Sequence, residues 1–217
     1  MNTALTFLMR SVPGVARVVS VYPLLRRGNF LDVSGWVRSF RSRESVDAAG
    51  EPIPWFTYAA VSFFQNRTKP DWRVFEFGCG NSTLWWAGRV AAVVSCEHDA
   101  DWYARMKARV PGHVRLMLVS LDDTGAYERS IHQHHERFHV VVIDGRRRNA
   151  CACEAVRVLT PDGVIVWDNT EREAYKDGCA FLRGEGFKQL DFTGLGPITA
   201  GDRTTSVFYR ESNCLGL

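Results

Sequence analysis

The chain reads as an α/β protein built on a doubly wound, mostly parallel sheet of about seven strands that ends in an antiparallel hairpin. Three features of its 217 residues predict this. Short Val/Ile-rich runs alternate with stretches of helical length from residue 70 onward, the pattern of a parallel sheet covered on both faces. Several of those runs end in an acid or a glycine. The last two runs, Phe187–Phe192 and Thr204–Arg210, have no helix between them.

Each element follows from local pattern. Trp55 to about Gln65 is an apolar stretch of helical length, preceded by Glu51-Pro52-Ile53-Pro54, which is extended because proline disfavours helix at the residue before it. Strands are expected at Arg73–Phe77, Ala92–Cys96, Val114–Val119, Phe138–Ile143 and Gly163–Trp167. Helices are expected at Ser82–Val90, about Asp101–Arg109, about Ala150–Leu159 and about Glu171–Gly184. A polar, histidine-rich connection runs from the third strand to Arg137, and Trp85-Trp86 packs helix on sheet with one ring partly exposed.

Composition narrows the classes. With 46% hydrophobic and 24% charged residues the chain is neither disordered nor of low complexity, and its length gives a core that needs no disulfide. The six cysteines lack zinc-type spacing and read as reduced thiols of a cytoplasmic protein. No apolar run reaches the ~18 residues of a spanning helix, and the Thr3–Met9 run lacks the features of a signal peptide.

The net charge of +3 does not call for a nucleic-acid partner, and none is expected. It is unevenly placed, however. Residues 1–43 hold seven arginines against Asp32, and the rest of the chain is mildly acidic. We divide the chain into a basic helical arm, residues 1–50, and a single catalytic domain, residues 51–217. The arm either packs as a solvated helical extension or lies on an anionic surface such as a membrane face, through residues 1–43.

In such sheets a ligand binds at the carboxyl ends of the strands, beside the switch point of the topology. After the first strand stands Glu76-Phe77-Gly78-Cys79-Gly80-Asn81-Ser82-Thr83. Its two glycines permit a tight turn and close approach of a ligand, and Asn81 or Ser82 is placed to cap the next helix. Glu97 ends the second strand, 19 residues beyond Gly78, where a carboxylate can accept from both hydroxyls of a ribose. Thr83 occupies the place of a third glycine, which disfavours a dinucleotide.

Phe75–Thr83 together with Ser95-Cys96-Glu97-His98-Asp99 resembles motif I and the ribose acid of the class I S-adenosylmethionine-dependent methyltransferases, over about residues 70–210. The resemblance implies a Rossmann-like fold and S-adenosylmethionine as cofactor. It places Gly78, Gly80, Asn81, Ser82 and Thr83 in the cofactor turn, Glu76 near the methionine amino group and Glu97 on the ribose. His98 would stand beside the adenine, with Asp122 a candidate for its amino group.

Asp144 ends the fourth strand and Asp168-Asn169 the fifth, an arrangement similar to that of catechol-type O-methyltransferases, where three oxygen ligands hold a divalent cation. This likeness implies Asp144, Asp168 and Asn169 as ligands for a hard divalent cation, Mg2+ or Ca2+, and Asp144 is separately the first candidate for the catalytic base that takes the hydroxyl proton. Arg147 departs from the pattern, since those enzymes carry lysine there and arginine stays protonated. The motif also resembles FkbM-like methyltransferases, which modify sugars and natural products, and that likeness does not by itself imply a metal. His132, His134 and His135 are alternative bases. Arg146–Arg148 either recognise an anionic substrate group or cover a helix start. Trp55 and Phe56 line an acceptor pocket or belong to the core.

The expected function is methyl transfer to a hydroxyl of a small molecule or sugar-containing metabolite. The alternative is a non-catalytic cofactor-binding scaffold docked through the basic arm. Aminopropyl transfer is disfavoured by the arginines after the fourth strand, and nucleic-acid amino-methylation by the lack of an (Asp/Asn)-Pro-Pro-aromatic motif there.

Overall fold

The computed structural model of the chain describes residues 13–122 and 124–217. Strands β1 (Arg73–Phe77), β2 (Ala92–Glu97), β3 (Val114–Leu118), β4 (Phe138–Ile143), β5 (Leu159–Asp168), β6 (Lys188–Gly194) and β7 (Arg203–Tyr209) form one sheet. Their order is β3-β2-β1-β4-β5-β7-β6. The first five run parallel, while β7 lies antiparallel to both β5 and β6. This is the expected doubly wound sheet with a terminal hairpin. The order reverses between β1 and β4, which puts the switch point where Phe77 pairs with Ile143.

Alternation along the strands builds two cores. Val74, Val140, Val142, Val164 and Val166 pack on one face with Phe56, Phe64 and Trp86, beneath α4 (Tyr58–Gln65) and α5 (Asn81–Ala87). Phe75, Phe77, Val141, Ile143, Ile165 and Trp167 point to the other face, beneath α8 (Arg148–Ala155) and α9 (Lys176–Gly184). Successive side chains of a strand alternate sides, so runs such as Val140–Ile143 must be apolar throughout. Trp85 and Trp86 are both buried, correcting the expectation that one ring is partly exposed.

The connections depart further from expectation. Helix α6 (Ala100–Lys107) joins β2 to β3, its start capped by the Asp99 carboxylate on the Trp102 amide at 2.8 Å. The connection read as polar contains α7 (Ala126–Arg129) and a 3-10 turn (Ser130–Gln133), because Tyr127 and Ile131 bury their side chains in the second core. Residues Glu173–Tyr175 form a 3-10 turn ahead of α9.

At the amino end, α1 (Pro13–Val21), a 3-10 turn (Tyr22–Leu25), α2 (Phe30–Val33) and α3 (Trp36–Ser42) precede the sheet. The Trp36 indole N–H donates to the Thr199 carbonyl at 2.7 Å, and Phe30 meets Tyr58 edge to face. Ser39 Oγ bridges both backbone groups of Val46. These contacts hold α2, α3 and the following turn to the sheet domain. Helix α1 chiefly touches the 3-10 turn that follows it. No helix among the described residues is long and apolar enough to cross a membrane.

Candidate functional site

The carboxyl end of β1 presents a buried acid without a counter-charge. Glu76 is 1% exposed, and its Oε2 accepts from the hydroxyls of Thr83 and, at 2.9 Å, Ser95. Thr83 Oγ1 in turn accepts the Gly80 N–H at 3.0 Å, linking the acid to the glycine turn. Glu76 Oε1 is buried with no hydrogen-bond partner among the described residues. Burial pushes the carboxyl up to about 7, against the lowering effect of the neighbouring Ser82, Thr83 and Ser95 hydroxyls.

The turn above it needs the first of its glycines. Gly78 has φ +93°, and a Cβ there would stand 3.2 Å from Gly145 Cα. Gly145 itself has no room, since its Cβ would fall 2.1 Å from the Tyr127 hydroxyl. The loops after β1 and β4 thus touch backbone to backbone at the switch point. At Gly80 nothing lies within 4 Å of a Cβ position, so the space over the turn is open.

Glu97, at the end of β2, is held by its own strand end. Its Oε1 accepts the His98 amide at 2.7 Å, the Asp99 amide at 2.9 Å and His98 Nδ1 at 2.7 Å. Its Oε2 faces the glycine turn and takes only the Cys79 amide at 3.3 Å and the Cys79 thiol at 3.6 Å. This oxygen retains capacity for a hydroxyl. The half-buried Trp102, not singled out in the sequence, donates its indole N–H to the Cys79 carbonyl at 2.7 Å and fixes the turn from above. Tryptophan at the start of a helix after the ribose-type acid was the available signal.

Asn81 does not cap α5. Gly80 stands at the cap, while Asn81 Nδ2 donates to the Ser45 carbonyl at 2.8 Å and its Oδ1 accepts from Arg109. Ser82 is buried behind it. Asp122 lies exposed on the rim, its Oδ1 taken by the amide and hydroxyl of Thr124, which hold its carboxyl below the usual range.

The ends of β4 and β5 carry acids that are already neutralised. The buried Arg148 guanidinium pairs with Asp144 Oδ1 at 2.9 Å. It also donates to the carbonyls of Asp144, Gly145 and Asp168 and, at 3.5 Å, to Asn169 Oδ1. Asp168 accepts Thr205 Oγ1 at 2.6 Å on one oxygen and Arg203 Nη2 at 3.1 Å on the other. Burial raises the Asp144 carboxyl, opposed by Arg148 and Arg203. It pushes Asp168 up to about 7, with the charge of Asp144 adding to the rise.

These residues do not fit a divalent cation. An ion among Asp144, Asp168 and Asn169 would face two guanidinium groups, each already bonded to one oxygen of a carboxylate it needs. Among the described residues no group of three or more His, Cys, Asp or Glu could hold a metal. The expected Mg2+ site at Asp144, Asp168 and Asn169 is therefore replaced by an arginine-bridged network, legible only once Arg148 is seen to be buried rather than on the surface.

The same end leaves donors unused. Among the described residues, Arg203 Nε and Nη1 and Asn169 Nδ2 are buried without partners, and Asn169 sits at φ +62°. The Arg203 guanidinium lies 5.6 Å from the centre of the Trp55 ring, which is 43% exposed, whereas Phe56 is fully buried in the core. Asp144 keeps Oδ2 outside its pairing with Arg148.

The histidines do not join this site. His132 pairs with Glu154 at 2.7 Å and His134 packs against Phe75 and Phe138, and with His135 they precede the first residue of β4, at the amino end of the parallel strands. Burial and Arg115 lower the His134 imidazole below its ordinary value. The connection descends the whole sheet before β4 begins, which excludes all three as bases. Of the three arginines, Arg146 is exposed and Arg147 bonds the Leu121 carbonyl at 3.2 Å.

No family model matches the chain, and no curated protein matches it. Solved structures do. An rRNA methylase from Streptococcus thermophilus superposes with TM-score 0.52 at 14% identity, covering 71% of this chain and 96% of that one. A precorrin-6y C5,15-methyltransferase from Geobacter metallireducens gives 0.57 at 13%, covering 70% and 87%. A Streptococcus mutans protein solved in complex with SAH gives 0.52 at 11%, covering 68% and 94%. The chain shares the fold of these proteins.

Proposed function

We propose that this protein is an S-adenosylmethionine-dependent methyltransferase acting on a hydroxyl oxygen of a small molecule or sugar-containing metabolite. The observation that carries the reading is the unpartnered, buried Glu76 Oε1 below an open glycine turn, flanked by the fixed carboxylate of Glu97. A fully buried acid with no cation beside it is costly, and the cofactor's α-ammonium group is the partner that suits it. Glu97 Oε2 is the acceptor for ribose hydroxyls. When bound, the cofactor supplies an electrophilic methyl group.

The acceptor belongs over the ends of β4 and β5. There Asp144 Oδ2 is placed to take a hydroxyl proton, and burial moves its carboxyl toward the range a general base needs. Arg203 and Asn169 offer unused donors that orient the acceptor, beside the exposed face of Trp55. Alignment and proton removal are the protein's contributions, and none requires a metal here.

Calorimetric titration with S-adenosylhomocysteine, using NAD as control, tests the cofactor reading. Binding of the first and not the second supports it. Methyl transfer from labelled cofactor to a panel of phenols and sugars then separates an enzyme from a silent scaffold.

A further inference from the structure

The amino-terminal arm combines two properties that are rarely found together on a solvated surface. Its first 31 residues contain no acid, and Arg10, Arg17, Arg26 and Arg27 stand among apolar residues. In the described part, several large apolar side chains face outward. Val18 is 70% exposed, Val21 44% and Tyr22 63%, at the i, i+3, i+4 spacing of one helix face. Seven of the ten large apolar side chains exposed among the described residues lie between Val18 and Phe40, so the apolar surface is concentrated on one segment.

The arginines share that segment. Arg26, Arg27, Arg38, Arg41 and Arg43 are exposed. The single acid of residues 13–43, Asp32, turns inward on its own loop to accept the Gly28 amide at 2.8 Å. Charge chooses among the possible occupants of this face. A second copy meeting it face to face would bring the same arginines and only the inward-turned Asp32 against it. An acidic protein groove would meet the arginines, but the arm offers its apolar groups on a short helix and turn where Val18, Val21, Tyr22 and Leu24 are exposed. An anionic bilayer accepts both, with aliphatic groups entering the headgroup boundary and guanidinium groups on lipid phosphates.

We propose that residues 13–43 dock this protein on an anionic membrane surface, with Val18, Val21, Tyr22 and Leu24 inserted and Arg26 and Arg27 on the headgroups. This does not rest on the methyl-transfer reading.

The test is co-sedimentation of the full chain with vesicles of phosphatidylcholine alone and of phosphatidylcholine with about one-third phosphatidylglycerol, at low and high salt. The expected result is binding to the anionic vesicles only, weakened by salt. Arg26→Glu with Arg27→Glu is expected to weaken that binding about 20-fold or more. Val21→Ser with Tyr22→Ser is expected to weaken it as well. Both variants should melt at the wild-type temperature and keep its affinity for S-adenosylhomocysteine, whatever that affinity is. Equal binding to both vesicle types, no binding, or unchanged binding by the charge-reversed variant would overturn the proposal. So would sedimentation as a dimer through this face without vesicle binding, which would make it a contact between copies.

Discussion

The two halves of the sheet's carboxyl edge bury acids in opposite ways. Glu76 and Glu97, at the ends of β1 and β2, are held by hydroxyls, backbone amides and the neighbouring His98 ring, and among the described residues no lysine or arginine pairs with either. Asp144 and Asp168, at the ends of β4 and β5, each face a guanidinium. A buried carboxylate lacking a cation draws one from outside, whereas one already paired has little to offer a metal. The first half is therefore suited to a ligand with an ammonium group. The second is suited to an uncharged acceptor that needs a base and a few donors.

The largest effect is expected where the paired half is broken. Arg148→Met strips the partner from Asp144 and leaves three carbonyls short of a donor, which should cost about 3–5 kcal/mol in urea unfolding. A cost below about 1 kcal/mol would show that the guanidinium does not hold the strand ends together.

The unpaired half should behave in the reverse sense. Glu76 titrates near 7 when folded against an ordinary value of 4.5, so the folded chain binds the proton more tightly. Stability on this account is greatest below 4.5 and falls as pH rises toward 7, by ~3 kcal/mol in all. Glu76→Gln, which does not titrate, should lose that dependence and exceed the wild type at pH 8 while trailing it in affinity for S-adenosylhomocysteine. Urea melts at acid and alkaline pH check the first, and a stability gap that does not widen with pH contradicts it.

Glu97→Ala should weaken S-adenosylhomocysteine binding by about tenfold or more, equivalent to ~1.4 kcal/mol. Unchanged affinity would remove Glu97 from the cofactor site. The smallest effect belongs to magnesium. Its addition should move the melting temperature by less than about 1 °C, since the cation would have to displace two arginines from the carboxylates it would bridge. A concentration-dependent rise would restore the cation to Asp144 and Asp168.

Much of the frame was legible because buried parallel strands are written as unbroken apolar runs. Val140–Ile143 and Gly163–Trp167 could be placed without knowing their neighbours, and their last residues marked the ligand edge. Glu76 and Glu97 stood out because an acid at the end of such a run has no packing reason to be there. Arg148 did not, because an arginine at a helix start looks like solvent-facing charge until the carbonyls it gathers are brought together by folding. The histidines misled for a related reason. Sequence order places His132–His135 just before a site strand but not at which end of it, and α7 with its 3-10 turn carries them to the far end. Trp55 and Phe56, adjacent in sequence, divide between surface and core, which only the path of the chain into α4 decides.

The most direct test of the unpaired Glu76 is the proton it must release. Titration of the wild-type chain with S-adenosylhomocysteine near pH 7, in buffers of different ionisation enthalpy, should show binding coupled to loss of about half a proton, as an acid titrating near 7 ionises beside the incoming ammonium group. The Glu76→Gln variant should release none. Absence of binding, or wild-type binding without proton release, would contradict the assignment of this acid to the cofactor.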